Sequence, residues 1–377
     1  MKKSFLFTPG PTPVPEPVLA ALSQPIVNHR SSEFKEIIGG LRSELKKVWQ
    51  TQNEVLILTC SGTGAMEGAI SSTLKKGDRV AVVNAGKFGE RFSKIAKAFE
   101  LELDEIKVEW GSAVTIKQIE AGIQKAPAAF CFQINETSTG TLHPYQEICE
   151  WVRKKYPDCL LIVDGITAVG AMSIATDKLG IDILISGSQK AFMLPPGLAF
   201  ASISQRALEK MKSSTLPKFY LDFAREHKSI LENQTAFTPA ISLIIALQAA
   251  LKMMNQEGLE NVYARHTKLS QSTQKALLAM GLKTATHSPS VACTTMYLPN
   301  GIDGRKLLKK IEADYGFRIA GGQEQWEGKV IRLSHLGFYT AFDLISALTA
   351  LSRALLKEGY SHKTEDVLKT FIETYNL

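Results

Sequence analysis

The segment Ile181-Asp182-Ile183-Leu184-Ile185-Ser186-Gly187-Ser188-Gln189-Lys190 is a short apolar run that breaks off into small polar residues and a lysine. A run of this length, bounded by turn formers, is the pattern of a strand buried on both faces of a sheet. Similar runs stand at Val55–Thr59, Arg79–Val83, Phe130–Ile134, Leu160–Val163 and Ala199–Ile203. Amphipathic segments such as Phe88–Glu100 and Ile116–Lys125 separate most of them. Buried strands joined by helices predict an α/β domain with a largely parallel sheet covered by helices.

Outward from that region the pattern changes. Prolines at 9, 11, 13 and 15 forbid a helix in residues 1–15, which read as an extended arm held against the body or a partner. Helical patterns follow near Pro17–Leu22 and Glu33–Trp49, and a long one at Ala240–Glu257 stops at Gly258. Beyond it come a helix (Leu259–Met280), a strand (Thr294–Leu298), a helix (Gly304–Tyr315), a strand (Val330–Leu333) and a helix (Ala341–Glu358). The expected division is therefore an arm at 1–15, a large domain at 16–258 and a smaller α+β domain at 259–377.

The 377 residues are 45% hydrophobic and 21% charged, which is ordinary for a folded domain and argues against disorder. The net charge of +7 gives no basic stripe; Lys306, Lys309 and Lys310 alternate with apolar residues as on the wet side of a helix, so no nucleic-acid partner is expected. Cys60, Cys131, Cys149, Cys159 and Cys293 show neither paired nor metal-ligand spacing and read as reduced thiols. The apolar stretch after Lys2-Lys3 ends within three residues, and no run approaches the length of a membrane span. A soluble, cytoplasmic protein without a metal is the expectation.

Polar residues just beyond the strand ends carry the chemistry, since function in open α/β sheets collects at the carboxyl edge. Ser61-Gly62-Thr63-Gly64 turns from a strand into a helix, which suits either a phosphate or a tight turn. The G-x-G spacing there also raises a nicotinamide dinucleotide site, but the next strand ends in Asn84 where a ribose-binding acid is expected. Asp164 and Lys190 project from the same edge, so a salt bridge is one reading. A lysine among Ser, Gly and apolar residues favours another: burial frees its amine for Schiff-base formation, with an acid for a pyridinium nitrogen and a phosphate cradle nearby.

Seven stretches together resemble the class-V aminotransferases of the fold-type-I pyridoxal-phosphate enzymes, particularly the alanine–glyoxylate and serine–pyruvate branch. They are Thr8–Thr12, Asn28–Ser31, Ser61–Glu67, Glu136–Gly140, Val163-Asp164, Ser186–Lys190 and Gly328–Arg332. The resemblance implies a mostly parallel seven-stranded sheet, a small C-terminal domain and a homodimer. It makes Lys190 the Schiff-base lysine and Asp164 the partner of the ring nitrogen. Phe88 resembles the aromatic that stacks on the ring, where a tryptophan is also found in this branch. Thr137 matches the neighbour of the phenolic oxygen, and Ser61, Gly62, Thr63 and Gln189 match neighbours of phosphate and ring. Thr238 resembles a phosphate ligand given across the dimer, although Thr235 stands where a tyrosine often precedes it. Gly10 and Arg332 are the expected substrate-binding residues, with Arg332 gripping the α-carboxylate through its planar fork.

The expected reaction moves an amino group from alanine or serine to glyoxylate or pyruvate. Three alternatives stay open: an aspartate donor, with Arg30 or Arg91 for the second carboxylate; a lyase or desulfurase; and a non-catalytic subunit of a larger assembly. Gln189, where desulfurases typically carry histidine, and the strand-like setting of Cys293 oppose the desulfurase.

Overall fold

In the computed structural model, which describes residues 3–377, the apolar runs become six strands of a seven-stranded sheet. In chain order the strands are β1 (Glu54–Leu58), β2 (Arg79–Asn84), β3 (Glu102–Lys107), β4 (Ala129–Gln133), β5 (Leu160–Asp164), β6 (Ile183–Gly187) and β7 (Ala199–Ile203). Across the sheet they run β1-β7-β6-β5-β4-β2-β3. β7 is antiparallel to β1 and β6, and the remaining pairs are parallel. Every residue of β1, β4, β5, β6 and β7 is buried, as two-sided helix cover requires.

Several strand ends differ from the sequence reading by one or two residues. Ladder hydrogen bonds continue into polar residues such as Asn84 and Asp164, where hydrophobicity has already stopped. β3 escaped that reading altogether. It is an edge strand, Glu-Leu-Asp-Glu-Ile-Lys, whose acidic residues are held laterally: Asp104 accepts from Arg79 at 2.7 Å and from the Gln124 amide at 3.0 Å.

A second sheet of five strands contains β8 (Lys283–Thr284), β9 (Cys293–Tyr297), β10 (Phe317–Gly321) and β11 (Val330–Ser334). Its fifth member comes from the arm: Phe5–Phe7 pairs in parallel with Phe317–Ile319 of β10. Neither β10 nor this pairing was legible beforehand, and the helix Thr364–Tyr375 was likewise unforeseen. That helix buries Val367 and Phe371.

Two apolar cores result. One gathers buried residues from Val18 to Val262; the other joins Phe7 to residues between Leu269 and Phe371. Helix starts are set locally: Ser31 caps Ser32–Trp49, and Thr115 with Gln118 forms a capping box on Ile116–Gly122. Trp49, fully buried, donates its indole N–H to the Leu184 carbonyl at 3.1 Å and packs on Phe192 and Phe200, with ring centroids 5.5 and 5.7 Å away. It supports β6 from beneath. Trp49→Ala should therefore lower the free energy of unfolding by about 3–5 kcal/mol, measurable as a shifted urea or thermal transition.

Candidate active site

Because β4, β5 and β6 are parallel, their carboxyl ends share one edge, and Asp164 lies in register with Gln133 and Ile185. Asp164 ends β5, and Lys190 follows β6 by three residues. Both are buried. They line one cleft with Ser61, Gly62, Thr63, Phe88, Arg91, Thr137, Ile166, Thr167 and Gln189, enclosing about 420 Å³ of space partly open to solvent.

The arm closes this cleft. Lys190 Nζ donates to the Pro9 carbonyl, the Thr12 hydroxyl donates to the Lys190 carbonyl at 3.0 Å, and the Thr12 amide reaches the Gln189 carbonyl at 3.3 Å. Gly10 sits directly against the amine. A Cβ there would lie 2.2 Å from Nζ, and the backbone has φ +119°. The salt bridge between Lys190 and Asp164, the less favoured of the two sequence readings, is absent among the described residues; the amine faces a carbonyl instead.

Electrostatics separate the two groups from ordinary surface residues. Burial lowers the Lys190 pKa to about 8 against the opposing pull of Asp164. Burial likewise raises Asp164 to about 6, although the Ile166 amide donates to its Oδ1 at 2.8 Å. Arg332, on β11, is buried and has no ion pair among the described residues. Its Nε donates to Gly321 O at 2.8 Å and Nη1 to Thr137 O at 2.9 Å. Its burial sets Arg332 apart from an arginine of a surface ion pair.

The turn before helix Gly62–Thr73 has the form of an anion seat. Ser61, the N-cap, makes no side-chain bond to its own helix, which leaves its hydroxyl and the first amides available. Gly62 lets the turn approach Ile166, whose Cδ1 a Cβ would meet at 2.4 Å. Phe88 opens helix Lys87–Ala98, and the Arg91 guanidinium lies 4.8 Å from its ring centroid while donating to the Thr63 hydroxyl at 3.1 Å. Thr137 bonds Thr167 at 2.9 Å. Gln189 Oε1 is buried without a partner, as expected of a group facing a bound molecule.

The donors fit pyridoxal phosphate: an amine of lowered pKa, a carboxylate, an aromatic face and an unspent helix N-terminus. Thr238 does not join them; it is exposed, 3.4 Å from His29 Nε2. Thr12, the Pro9 carbonyl and Glu136 were given no role by sequence reasoning, although all three lie inside quoted motifs. Their backbone contacts carry no residue-type signal. Gly10→Ala should destabilise the protein by about 1–3 kcal/mol through its backbone conformation alone, as equilibrium denaturation would show.

Residues 4–348 match the sequence model of the aminotransferase class-V family. The chain is 40% identical over 367 residues to a Synechococcus protein named soluble hydrogenase, small subunit, covering 96% of this chain and 95% of the relative. It is 31% identical over 370 residues to the serine–glyoxylate aminotransferase of Methylorubrum extorquens, covering 95% and 92%. The solved aspartate aminotransferase of subgroup IV from Thermus thermophilus superposes with a TM-score of 0.88 at 33% identity, covering 94% of this chain and 99% of that one. With its fold, its match over most of its length and the cofactor that the family uses, the chain belongs to the class-V aminotransferases, pyridoxal-phosphate-dependent transaminases of fold type I.

Proposed function

We propose that this chain passes the amino group of a small amino acid, alanine or serine, to glyoxylate or pyruvate. The observation that carries the reading is Arg332: a buried guanidinium with no ion pair among the described residues, whose Nη1 donates to the carbonyl of Thr137, a residue that lines the cleft with Lys190 and Asp164. Such a fork suits an α-carboxylate common to all donors.

Pyridoxal phosphate supplies, when bound, an aldehyde for the amino group and a protonated ring that draws electrons from the substrate α-carbon. Lys190 Nζ would hold the cofactor through its aldehyde and, once displaced by the substrate amine, would be free to carry a proton to and from the α-carbon. Asp164 would face the ring nitrogen and favour its protonated form. Ser61, Gly62, Thr63 and Gln189 are read as phosphate and ring contacts, Phe88 as the stacking face, Thr137 as the neighbour of the phenolic oxygen. Gly10 leaves room for the amine and the substrate. Arg332 orients the α-carboxylate.

Residues 16–258 then form the cofactor-binding domain, 259–377 the small domain and 1–15 the arm. Exposed Thr238 supports a homodimer in which it serves the neighbouring phosphate. Sedimentation of a fully active monomer would refute that arrangement.

A second reading, an aspartate donor, draws on Arg91, which lines the cleft. Arg30 lies elsewhere, donating to Gln234 Oε1 and Thr235 O at 2.9 and 2.7 Å. Donor kinetics separate the readings: a strong preference for aspartate over alanine and serine would replace the first by the second. Cys293 is fully buried in β9, which opposes a desulfurase whose thiol must reach substrate. The name of the Synechococcus relative bears on a subunit role; turnover by the purified chain alone would set that role aside.

Lys190→Ala should abolish covalent cofactor attachment while leaving the fold intact, read by mass spectrometry after borohydride reduction. Asp164→Ala should still bind cofactor but lose turnover about 100-fold or more. Only the neutral Lys190 amine attacks the aldehyde. The rate of cofactor uptake by cofactor-free protein should therefore rise with pH through about 8 and level off above it, in stopped-flow absorbance. Arg332→Ala should reduce kcat/KM for all amino-acid donors alike, by about 2–5 kcal/mol of transition-state binding; normal alanine kinetics would remove Arg332 from its role.

A further inference from the structure

Glu136 is a fully buried carboxylate with no ion pair among the described residues. It sits in a short hairpin, Asn135–Glu136 paired with Thr141–Leu142, just beyond β4. Its Oε2 accepts from the Phe88 amide at 3.1 Å, the Gly89 amide at 3.0 Å and Gln133 Nε2 at 3.0 Å. Its Oε1 accepts from the amide and the hydroxyl of Ser138, at 3.1 and 2.5 Å. Donors surround both oxygens, so the arrangement is satisfied by the ionised form. Burial pushes its pKa up, and these bonds oppose the shift.

Two of those donors are the first free amides of helix Lys87–Ala98, whose own N-cap, Gly86, offers no side-chain cap. The Lys87 amide is taken by Ser138 Oγ at 3.1 Å. The helix is thus capped from another segment, by an anion placed where the helix dipole favours one. The close approach is built in. A Cβ on Gly86 would meet Ser138 Oγ at 2.4 Å and Glu136 Cδ at 2.6 Å, and one on Gly89 would meet Val83 O at 2.4 Å. The same hairpin places Thr137, whose hydroxyl meets Thr167 and whose carbonyl receives Arg332.

We propose that Glu136 is a positioning residue for the cofactor ring, fixing the start of helix Lys87–Ala98 and with it the placement of the Phe88 face. The inference rests on the cofactor reading of the cleft. Glu136→Gln keeps the size but turns one oxygen into a donor. Whichever oxygen is lost, either Ser138 or the Phe88–Gly89 amide pair then faces N–H instead of an acceptor. The amides of the phosphate seat at Ser61–Thr63 open a different helix, Gly62–Thr73, which meets helix Lys87–Ala98 through the Arg91–Thr63 bond one turn beyond Phe88.

Cofactor-free wild type, Glu136→Gln and Ser138→Ala proteins would be titrated calorimetrically with pyridoxal phosphate and, separately, with inorganic phosphate. Glu136→Gln should weaken pyridoxal phosphate roughly tenfold or more, and Ser138→Ala roughly threefold. Inorganic phosphate should bind all three proteins alike. Unchanged binding of pyridoxal phosphate overturns the proposal, as does an equal loss of both ligands, which would mark general damage. If Glu136→Gln does not fold, the Ser138→Ala comparison decides by the same criteria. A wild type that binds no pyridoxal phosphate would instead overturn the cofactor reading itself.

Discussion

An amine withheld from water is the constraint around which the molecule is arranged. In solvent Lys190 would be an ammonium ion, inert toward a carbonyl, and only desolvation brings its pKa to about 8. That desolvation is supplied by three separate parts of the chain. Strand β6 delivers the lysine at a buried sheet edge, the arm lays Pro9 and Gly10 over it, and Gly337 brings the loop after β11 against its backbone, where a Cβ would meet Lys190 O at 3.1 Å. The Pro9 carbonyl satisfies one N–H without adding the negative charge that would restore the ammonium form.

The two buried acids near it show how environment divides labour between identical chemical groups. Asp164 has one amide donor to its Oδ1, from Ile166, and sits on the cleft wall, so it has capacity left for a ligand. Glu136 is saturated by donors from its own protein and faces away from exchange with anything bound. One carboxylate is available to chemistry because it is underbonded; the other shapes the site because it is fully bonded.

Much of this was legible in the sequence because burial on both faces leaves a continuous apolar signature, and the catalytic edge follows directly where each run stops. Asp164 and Lys190 could be found that way. Arg332 and Phe88 could not; their residue types are common on surfaces and in cores, and only the family pattern singled them out. β3 and β10 failed to register for a physical reason. The first is an edge strand carrying acids neutralised by Arg79, and the second is flanked by the arm, a partner more than 300 residues distant in sequence. Pairing energy that comes from such a distance leaves little trace in local composition.

The placement of the arm also sets an order of assembly. Phe5–Phe7 is synthesised some 300 residues before its strand partner, Phe317–Ile319. During translation the arm has no ladder to join until most of the chain has emerged. The large sheet, whose strands end at Ile203, can close its core well before then. Until Phe317–Ile319 is in place, Pro9 and Gly10 can cover Lys190 only while the strand just ahead of them remains unpaired.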